Sequence, residues 1–261
     1  MNPDIIQQVR NTTPLVHHLT NQVVMNFSAN GLLAFGGSPV MAKEKLEAHD
    51  MAEVADAVVL NIGTILKEEV QAMVQAGKTA NKKGIPVVLD PVGVAATPFR
   101  KRVVEEILNE VHPTVIKGNA GEIASLVDAD IEARGVDSVG EGNVDAIAEK
   151  AGKKFDTAIV ITGKTDVIYA NHKLIDNQTG HPLLSSITGS GCLLGSIVAA
   201  CLTTSHPIEE QLSSALCFYG LAAERAAEQP YVHGPGTFLP SFIDALSFSP
   251  KQLNGGTEDE I

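Results

Sequence analysis

Residues 187–195 read Ile-Thr-Gly-Ser-Gly-Cys-Leu-Leu-Gly, placing Gly189, Gly191 and Gly195 within seven positions and only a serine between the first two. A backbone so bare can take positive φ and let a ligand come close to its N–H groups. The apolar run 196–202 that follows reads as a helix. The turn therefore lies where unpaired amides and the positive end of a helix dipole attract an anion, and a phosphate is the natural guest. Taken alone, the same glycines fit equally well a tight turn ahead of a buried helix. The stretch is not a Walker A loop, because it lacks the Gly-Lys-Ser/Thr ending, and it is not a dinucleotide fingerprint, because no third glycine stands at the required offset.

Two carboxylates could complete a phosphate site. Asp90 opens Asp90-Pro-Val-Gly93 and Glu122 closes Lys117-Gly-Asn-Ala-Gly-Glu122, each after an apolar run that reads as a strand. Hard oxygen ligands so placed suit Mg²⁺ held mainly through water and substrate phosphates. The alternatives are a turn former before Pro91 and a first-turn glutamate that complements a helix dipole.

The elements that must position these residues follow from the hydrophobic pattern. Short, continuously apolar runs at 57–61, 85–90, 114–117 and 157–162 alternate with helical patterns at 65–83, at 99–111 and from near Glu122. That alternation predicts an α/β fold in three layers, a mostly parallel central sheet with helices on both faces. Ahead of them come a short strand at 14–21, a helix at 23–35 stopped by Gly36-Gly37, a strand at 38–42 and a helix beginning near Lys43. His17 and His18 are expected to form a half-buried pair with one ring on each face. Runs 167–170 and 172–176 bracket Asn171 as an antiparallel hairpin, and helices at 208–228 and 238–246 follow the glycine turn. Each central strand ends on a polar residue beside a glycine: Asn61 before Gly63-Thr64, Asp90 before Gly93, Lys117 before Gly118, Thr162 before Gly163. These gather at the carboxyl edge of the sheet, where open α/β sheets bind ligands.

The whole chain narrows the function classes. Its 261 residues suffice for one large domain, expected over 1–249, with an acidic, disordered tail at 250–261. The net charge of -12 argues against a nucleic-acid partner, which would draw on clustered Lys and Arg. Cys192, Cys201 and Cys217 are odd in number and lack metal-ligand spacing, so neither a disulfide scaffold nor structural zinc is expected. With no signal-peptide pattern and no run of eighteen apolar residues, a cytoplasmic protein without a membrane partner is expected.

The chain resembles hydroxyethylthiazole kinase, a ribokinase-like family of thiamin salvage, from about Asn11 to Leu246. The resemblance is made by Thr20-Asn-Gln-Val-Val-Met-Asn-Phe-Ser-Ala-Asn30, Gly37-Ser-Pro-Val-Met41, Asn61-Ile-Gly-Thr64, Asp90-Pro-Val-Gly-Val94, Lys117-Gly-Asn-Ala-Gly-Glu-Ile123, Val160-Ile-Thr-Gly-Lys164, Thr188-Gly-Ser-Gly-Cys192 and Gly234-Pro-Gly-Thr-Phe238. It implies a ribokinase-like fold without a separate lid, and ATP-dependent phosphorylation of the primary alcohol of 4-methyl-5-(2-hydroxyethyl)thiazole. It further implies that Met41 and Gly189 contact the thiazole, with Asn21, Gly63 and Thr64 lining that pocket. Lys117 and Thr162 would contact ATP, Asp90 and Glu122 would support Mg²⁺, and the assembly would be a homotrimer with sites at subunit interfaces. Ala95-Ala96 departs from the family pattern, where a further glycine is common, and a small local change is expected there. Sugar and pyrimidine kinases of this superfamily usually carry Asp where this chain has Cys192. A thiol there is mostly protonated at neutral pH unless the helix N-terminus lowers its pKa, so Cys192 reads either as a weak base for the substrate hydroxyl, beside the Gly189 and Gly191 amides, or as a small residue filling the helix start.

Overall fold

The computed structural model describes residues 1–129 and 141–255. Among them eight strands form one sheet: β1 (Leu15–Leu19), β2 (Ser38–Val40), β3 (Ala57–Asn61), β4 (Val87–Asp90), β5 (Val115–Asn119), β6 (Ala158–Thr162), β7 (Asp166–Ala170) and β8 (Lys173–Asn177), in the order β2-β1-β3-β4-β5-β6-β7-β8. Strands β2 to β6 of that order run parallel, so their carboxyl ends share one edge, while β7 and β8 pair antiparallel. The β7–β8 turn has Asn171 and His172 at φ 49° and 62°. Two positive φ values are what a two-residue hairpin needs to match the twist of its strands.

Both faces of the central strands are apolar, and their side chains alternate between two cores. Val59, Val88, Val115 and Val160 pack into one, Leu60, Leu89, Ile116 and Ile161 into the other. The first core is closed by helices α1 (Pro3–Thr12), α2 (Met25–Phe35), α8 (Ser190–Cys201), α9 (Ile208–Ala227) and α10 (Pro235–Leu246). The second is closed by α3 (Lys45–Val54), α4 (Val70–Lys83), α5 (Pro98–Glu110), α6 (Ala120–Leu126) and α7 (Glu141–Phe155). The three-layer expectation therefore holds. Helix ends follow local chemistry: α2 and α4 stop at Gly36 and Gly84 in the left-handed region, and α10 begins three residues earlier than expected because Pro235 supplies a ready-made first helical φ. The expected helix at 65–83 is split, since Glu69 accepts from the Leu66 N–H and holds Lys67–Glu69 as a 3₁₀ turn ahead of α4. Ala95-Ala96 lies in a single 3₁₀ turn, Val94–Ala96.

Two expectations need correction. Pro250–Leu253, placed in the disordered tail by composition, forms a one-turn helix, α11, capped by Ser249 and anchored by buried Leu253; residues 256–261 of that tail lie outside the described residues. His17 and His18 do face opposite sides of β1, but both are fully buried, because α8 packs over one face of the strand and the Ala42 segment with α3 over the other. His17 Nε2 donates to the Ala42 carbonyl at 2.8 Å. His18 Nδ1 donates to the Val16 carbonyl at 2.9 Å, so its Nε2 accepts from Ser196 Oγ at 2.9 Å.

Burial pushes His18 down to about 4, its backbone hydrogen bond opposing. The folded state thus keeps the ring neutral where the unfolded chain, titrating near 6.5, already binds a proton. Stability is expected to fall as pH drops from about 6.5 to 4, by up to about 3 kcal/mol from this group. His18→Gln should flatten that slope, which urea titrations at pH 5 and pH 7 will read.

Candidate active site

Strand alternation aims the site. Two residues beyond Val59, Val88, Val115 and Val160, on the same side of the sheet, stand Asn61, Asp90, Lys117 and Thr162. All four therefore point toward the face covered by α8. There Gly189 is the N-cap of α8 at φ 89°, and a Cβ would overlap Val24, so only glycine fits. The first amide of α8 to bond back is that of Leu193, to the Gly189 carbonyl at 2.9 Å, and Gly189 has no side chain to cap the rest. The amides of Ser190, Gly191 and Cys192 are left without a partner inside the helix, as an anion site requires. Tyr219 Oη donates to the Ser190 carbonyl at 2.6 Å and Ser190 Oγ to the Leu184 carbonyl at 2.8 Å, which hold the turn in place.

Beneath the turn lies a buried ion pair. Lys117 Nζ is 3.3 Å from Asp90 Oδ2, with the two side chains only 4% and 3% exposed. A Cβ on Gly191 would stand 3.4 Å from Lys117 Nζ, which places the ammonium next to the turn. Burial pushes the Asp90 carboxyl up to about 6; Lys117 opposes that rise and the Glu122 charge adds to it. Burial alone would lower the Lys117 ammonium, but Asp90, Cys192 and Glu122 together hold it above the ordinary lysine range.

Asn61 is the hub on the other side of Asp90. Its Nδ2 donates to Asp90 Oδ2 at 3.0 Å and to Cys192 Sγ at 3.2 Å, and its Oδ1 accepts from the Gly63 N–H at 3.0 Å and from Asn21 Nδ2 at 2.9 Å. Asn21 Nδ2 also reaches Cys192 Sγ at 3.6 Å. A Cβ on Gly63 would stand 2.6 Å from Asn21 Nδ2, so this contact too requires glycine. Burial raises the Cys192 thiol, and the Asp90 charge raises it further, against the opposing pull of Lys117 and the two amides. Burial and Asp90 thus work against a thiolate at this helix N-terminus.

The structure thus brings Asn21, Gly63, Asp90, Lys117, Gly189, Gly191 and Cys192 together. Thr64 adjoins them, its Oγ1 accepting from the Gln22 N–H at 3.2 Å. Met41 follows the end of β2, two strands from Asn61 on the same edge and half-buried. Glu122 is the glutamate of a capping box at the start of α6: its N–H donates to Asn119 Oδ1, and its carboxylate accepts from the Asn119 N–H and the Gly93 N–H, all at 2.8–2.9 Å. That is the helix-end role weighed above, and it also ties the Asp90 loop to α6.

Thr162 belongs to a cavity of about 640 Å³ on the far side of the glycine turn, bounded by Ser190 and Gly191 together with Gln178, His181, Tyr219 and Lys164. The wall from 178–182 and α9 carried no motif in the sequence. One trace was available: Gly220 interrupts a helical stretch, and a Cβ there would overlap Thr179, which lines the same cavity. Asn61 was legible as a polar strand end, but its four partners were not.

Among the described residues no group of three or more His, Cys, Asp or Glu converges to hold a metal, and no helix is long and apolar enough to cross a membrane. Asp90 and Glu122 nevertheless sit close enough for the Glu122 charge to raise Asp90, and a cation between them would relieve that repulsion. The pair fits a Mg²⁺ that arrives with phosphates better than one held by protein alone.

Free helix amides set over a buried carboxylate and ammonium, at the carboxyl edge of a parallel sheet, are the tools of phosphoryl transfer on a ribokinase-like fold. A ribokinase-like superfamily protein from Enterococcus faecalis superposes with a TM-score of 0.66 at 15% identity, covering 94% of each chain. The chain belongs to the hydroxyethylthiazole kinase family, whose model matches residues 6–251. It is 63% identical over 256 residues, 98% of this chain and all of its relative, to hydroxyethylthiazole kinase 1 of Oceanobacillus iheyensis. The structure of a hydroxyethylthiazole kinase protein from Pyrococcus horikoshii superposes with a TM-score of 0.85 at 39% identity, covering 94% of this chain and 91% of that one.

Proposed function

We propose that this phosphotransferase uses ATP to phosphorylate the primary hydroxyl of 4-methyl-5-(2-hydroxyethyl)thiazole. The observation that supports the reading most is the Asn61–Asp90–Lys117 cluster beneath the free amides of α8, in a chain 63% identical to a hydroxyethylthiazole kinase. ATP occupies the cavity beside Thr162, with its γ-phosphoryl group at the 189–192 turn. The thiazole binds on the other side, against Asn21, Gly63, Thr64, Gly189 and Met41. In an in-line transfer the alcohol oxygen bonds to the γ-phosphorus as the bond to the β–γ bridging oxygen breaks; that oxygen leaves on ADP with the electron pair, and the hydroxyl proton passes to an oxygen of the transferred phosphoryl group and from there to solvent. The turn amides and Lys117 neutralise the charge that spreads over the transferring group, which is where most of the catalysis in such a loose transition state lies. Cys192 acts as a neutral thiol against the reacting hydroxyl, not as a thiolate base. Asp90 and Glu122 would hold Mg²⁺ together with the nucleotide phosphates. When bound, the ion supplies further charge neutralisation.

The subunit arrangement we favour is a homotrimer with the thiazole side at an interface. Val23, Leu46 and Leu66, apolar yet 66%, 89% and 48% exposed, flank Asn21, Met41 and Thr64 in the chain and suit coverage by a neighbouring copy. Light scattering on the intact protein will read the oligomeric state.

An ADP-release assay across a panel of alcohols, with the product weighed by mass spectrometry, tests the reaction. Phosphorylated thiazole alcohol is the expected product. Preference for a hydroxymethylpyrimidine would reassign the substrate, and ADP formed without a phosphorylated alcohol would mark an ATP-dependent dehydratase. Lys164 brings a positive charge to the exposed rim of the nucleotide cavity. Lys164→Gln is expected to raise KM for ATP about three- to tenfold with kcat unchanged, an effect that fades as salt is added.

A further inference from the structure

We propose that Asn61 is a positioning residue of the transfer reaction: its carboxamide locks the Cys192 sulfur against the Asp90 carboxylate and sets the direction of the thiol proton. The sequence marks Asn61 only as a polar strand end and the start of the Asn61-Ile-Gly-Thr64 motif, and the inference rests on the proposed reading that Cys192 lies beside the reacting hydroxyl.

The orientation of the amide is forced. The Gly63 N–H can only donate, so the Asn61 atom 3.0 Å from it must be the oxygen. The nitrogen then faces Asp90 and Cys192, at 3.0 Å and 3.2 Å. Both hydrogens of Nδ2 and both lone pairs of Oδ1 are engaged, the second lone pair by Asn21 Nδ2 at 2.9 Å. A flip would set oxygen against a carboxylate and an N–H against an N–H. With every bond made and the side chain 2% exposed, no second arrangement is open to it.

The consequence falls on the sulfur. Asn61 and Asn21 both aim an N–H at Cys192 Sγ, so its lone pairs face the sheet and its proton must point away from both amides, out of the Asn61–Asp90 network. Asn61 also links the two halves of the site, since its oxygen end holds Gly63 and Asn21 on the thiazole side and its nitrogen end holds Asp90 and Cys192 on the phosphate side.

Asn61→Leu removes all four bonds at similar volume. Asn61→Ala removes the same four bonds without placing new bulk or charge beside Asp90, so it carries the test should Asn61→Leu fail to fold, as thermal melting will show. Each is expected to lower kcat about 30-fold while KM for ATP stays within about twofold. The deciding measurement is a double-mutant cycle with Cys192→Ala: if Asn61 acts through the sulfur, the effect of the Asn61 substitution shrinks to less than about threefold in that background. A full effect of Asn61→Leu or Asn61→Ala in both backgrounds, with Cys192→Ala itself impaired, overturns the positioning role and leaves the reading of Cys192 standing. A Cys192→Ala variant with unchanged kcat overturns the reading of Cys192 and the inference with it.

Discussion

Asp90→Asn is expected to lower kcat by about 10²- to 10³-fold, the loss typical when a preorganised charge or donor is removed from a transition-state site. Asn matches Asp in shape, so packing is kept and the change is electrostatic. Asp90 sets the geometry of three neighbours at once: it pairs with Lys117 at 3.3 Å, accepts from Asn61 at 3.0 Å, and lies within reach of the Glu122 charge. In the variant the ammonium of Lys117 loses its partner and is free to turn toward phosphates in the ground state, which predicts a lower KM for ATP alongside the lower kcat. If Asp90 also supports Mg²⁺, the Mg²⁺ concentration for half-maximal rate rises in the same variant. Single-turnover phosphorylation over a Mg²⁺ series reads all three, and an unchanged Mg²⁺ requirement would take Asp90 out of the metal assignment.

Lys117→Met is expected to destabilise the fold by about 3–5 kcal/mol at neutral pH, because breaking a buried ion pair from one side strands the other charge. Asp90 bears that consequence. Burial already raises its carboxyl to about 6 with the ammonium present, and without Lys117 the carboxyl rises further. Between the unfolded value of 3.8 and the raised folded value, the native state binds a proton that the unfolded chain has released, so stability falls as pH rises through that window. The gap between variant and wild type should therefore be wider at pH 8 than at pH 5 in chemical denaturation. Asp90→Asn combined with Lys117→Met is expected to regain part of the stability and none of the activity, since it removes the stranded charge without restoring the ammonium beneath the turn.

Much of this molecule was readable before its structure. The apolar runs ending in Asn61, Asp90, Lys117 and Thr162 predicted parallel strands because a sheet buried on both faces needs uninterrupted hydrophobic residues, and these runs alternate with helical patterns. Gly36, Gly84 and Gly189 marked helix boundaries because left-handed φ is costly for any residue with a Cβ. The motifs around Met41, Asp90 and Gly189 identified the family, which the match over residues 6–251 shows. Boundaries were less legible: Pro235 and Pro250 extend or create helices that an apolar count begins later or omits.

The sequence by itself determined which residues stand at the carboxyl edge of the sheet and that a bare turn opens α8. Alternation even implied that Asn61, Asp90, Lys117 and Thr162 face one way, since each lies two residues past a core valine. Only the tertiary structure decided what that shared face does. Lys117 became a buried partner of Asp90 beside Gly191, Glu122 a helix cap, and Cys192 a thiol held by two amides. The physical reason is that charge state and hydrogen-bond partnership depend on desolvation by groups far away in the chain. Asn61 and Cys192 are 131 positions apart, and no local pattern records that one will spend its last hydrogen on the other.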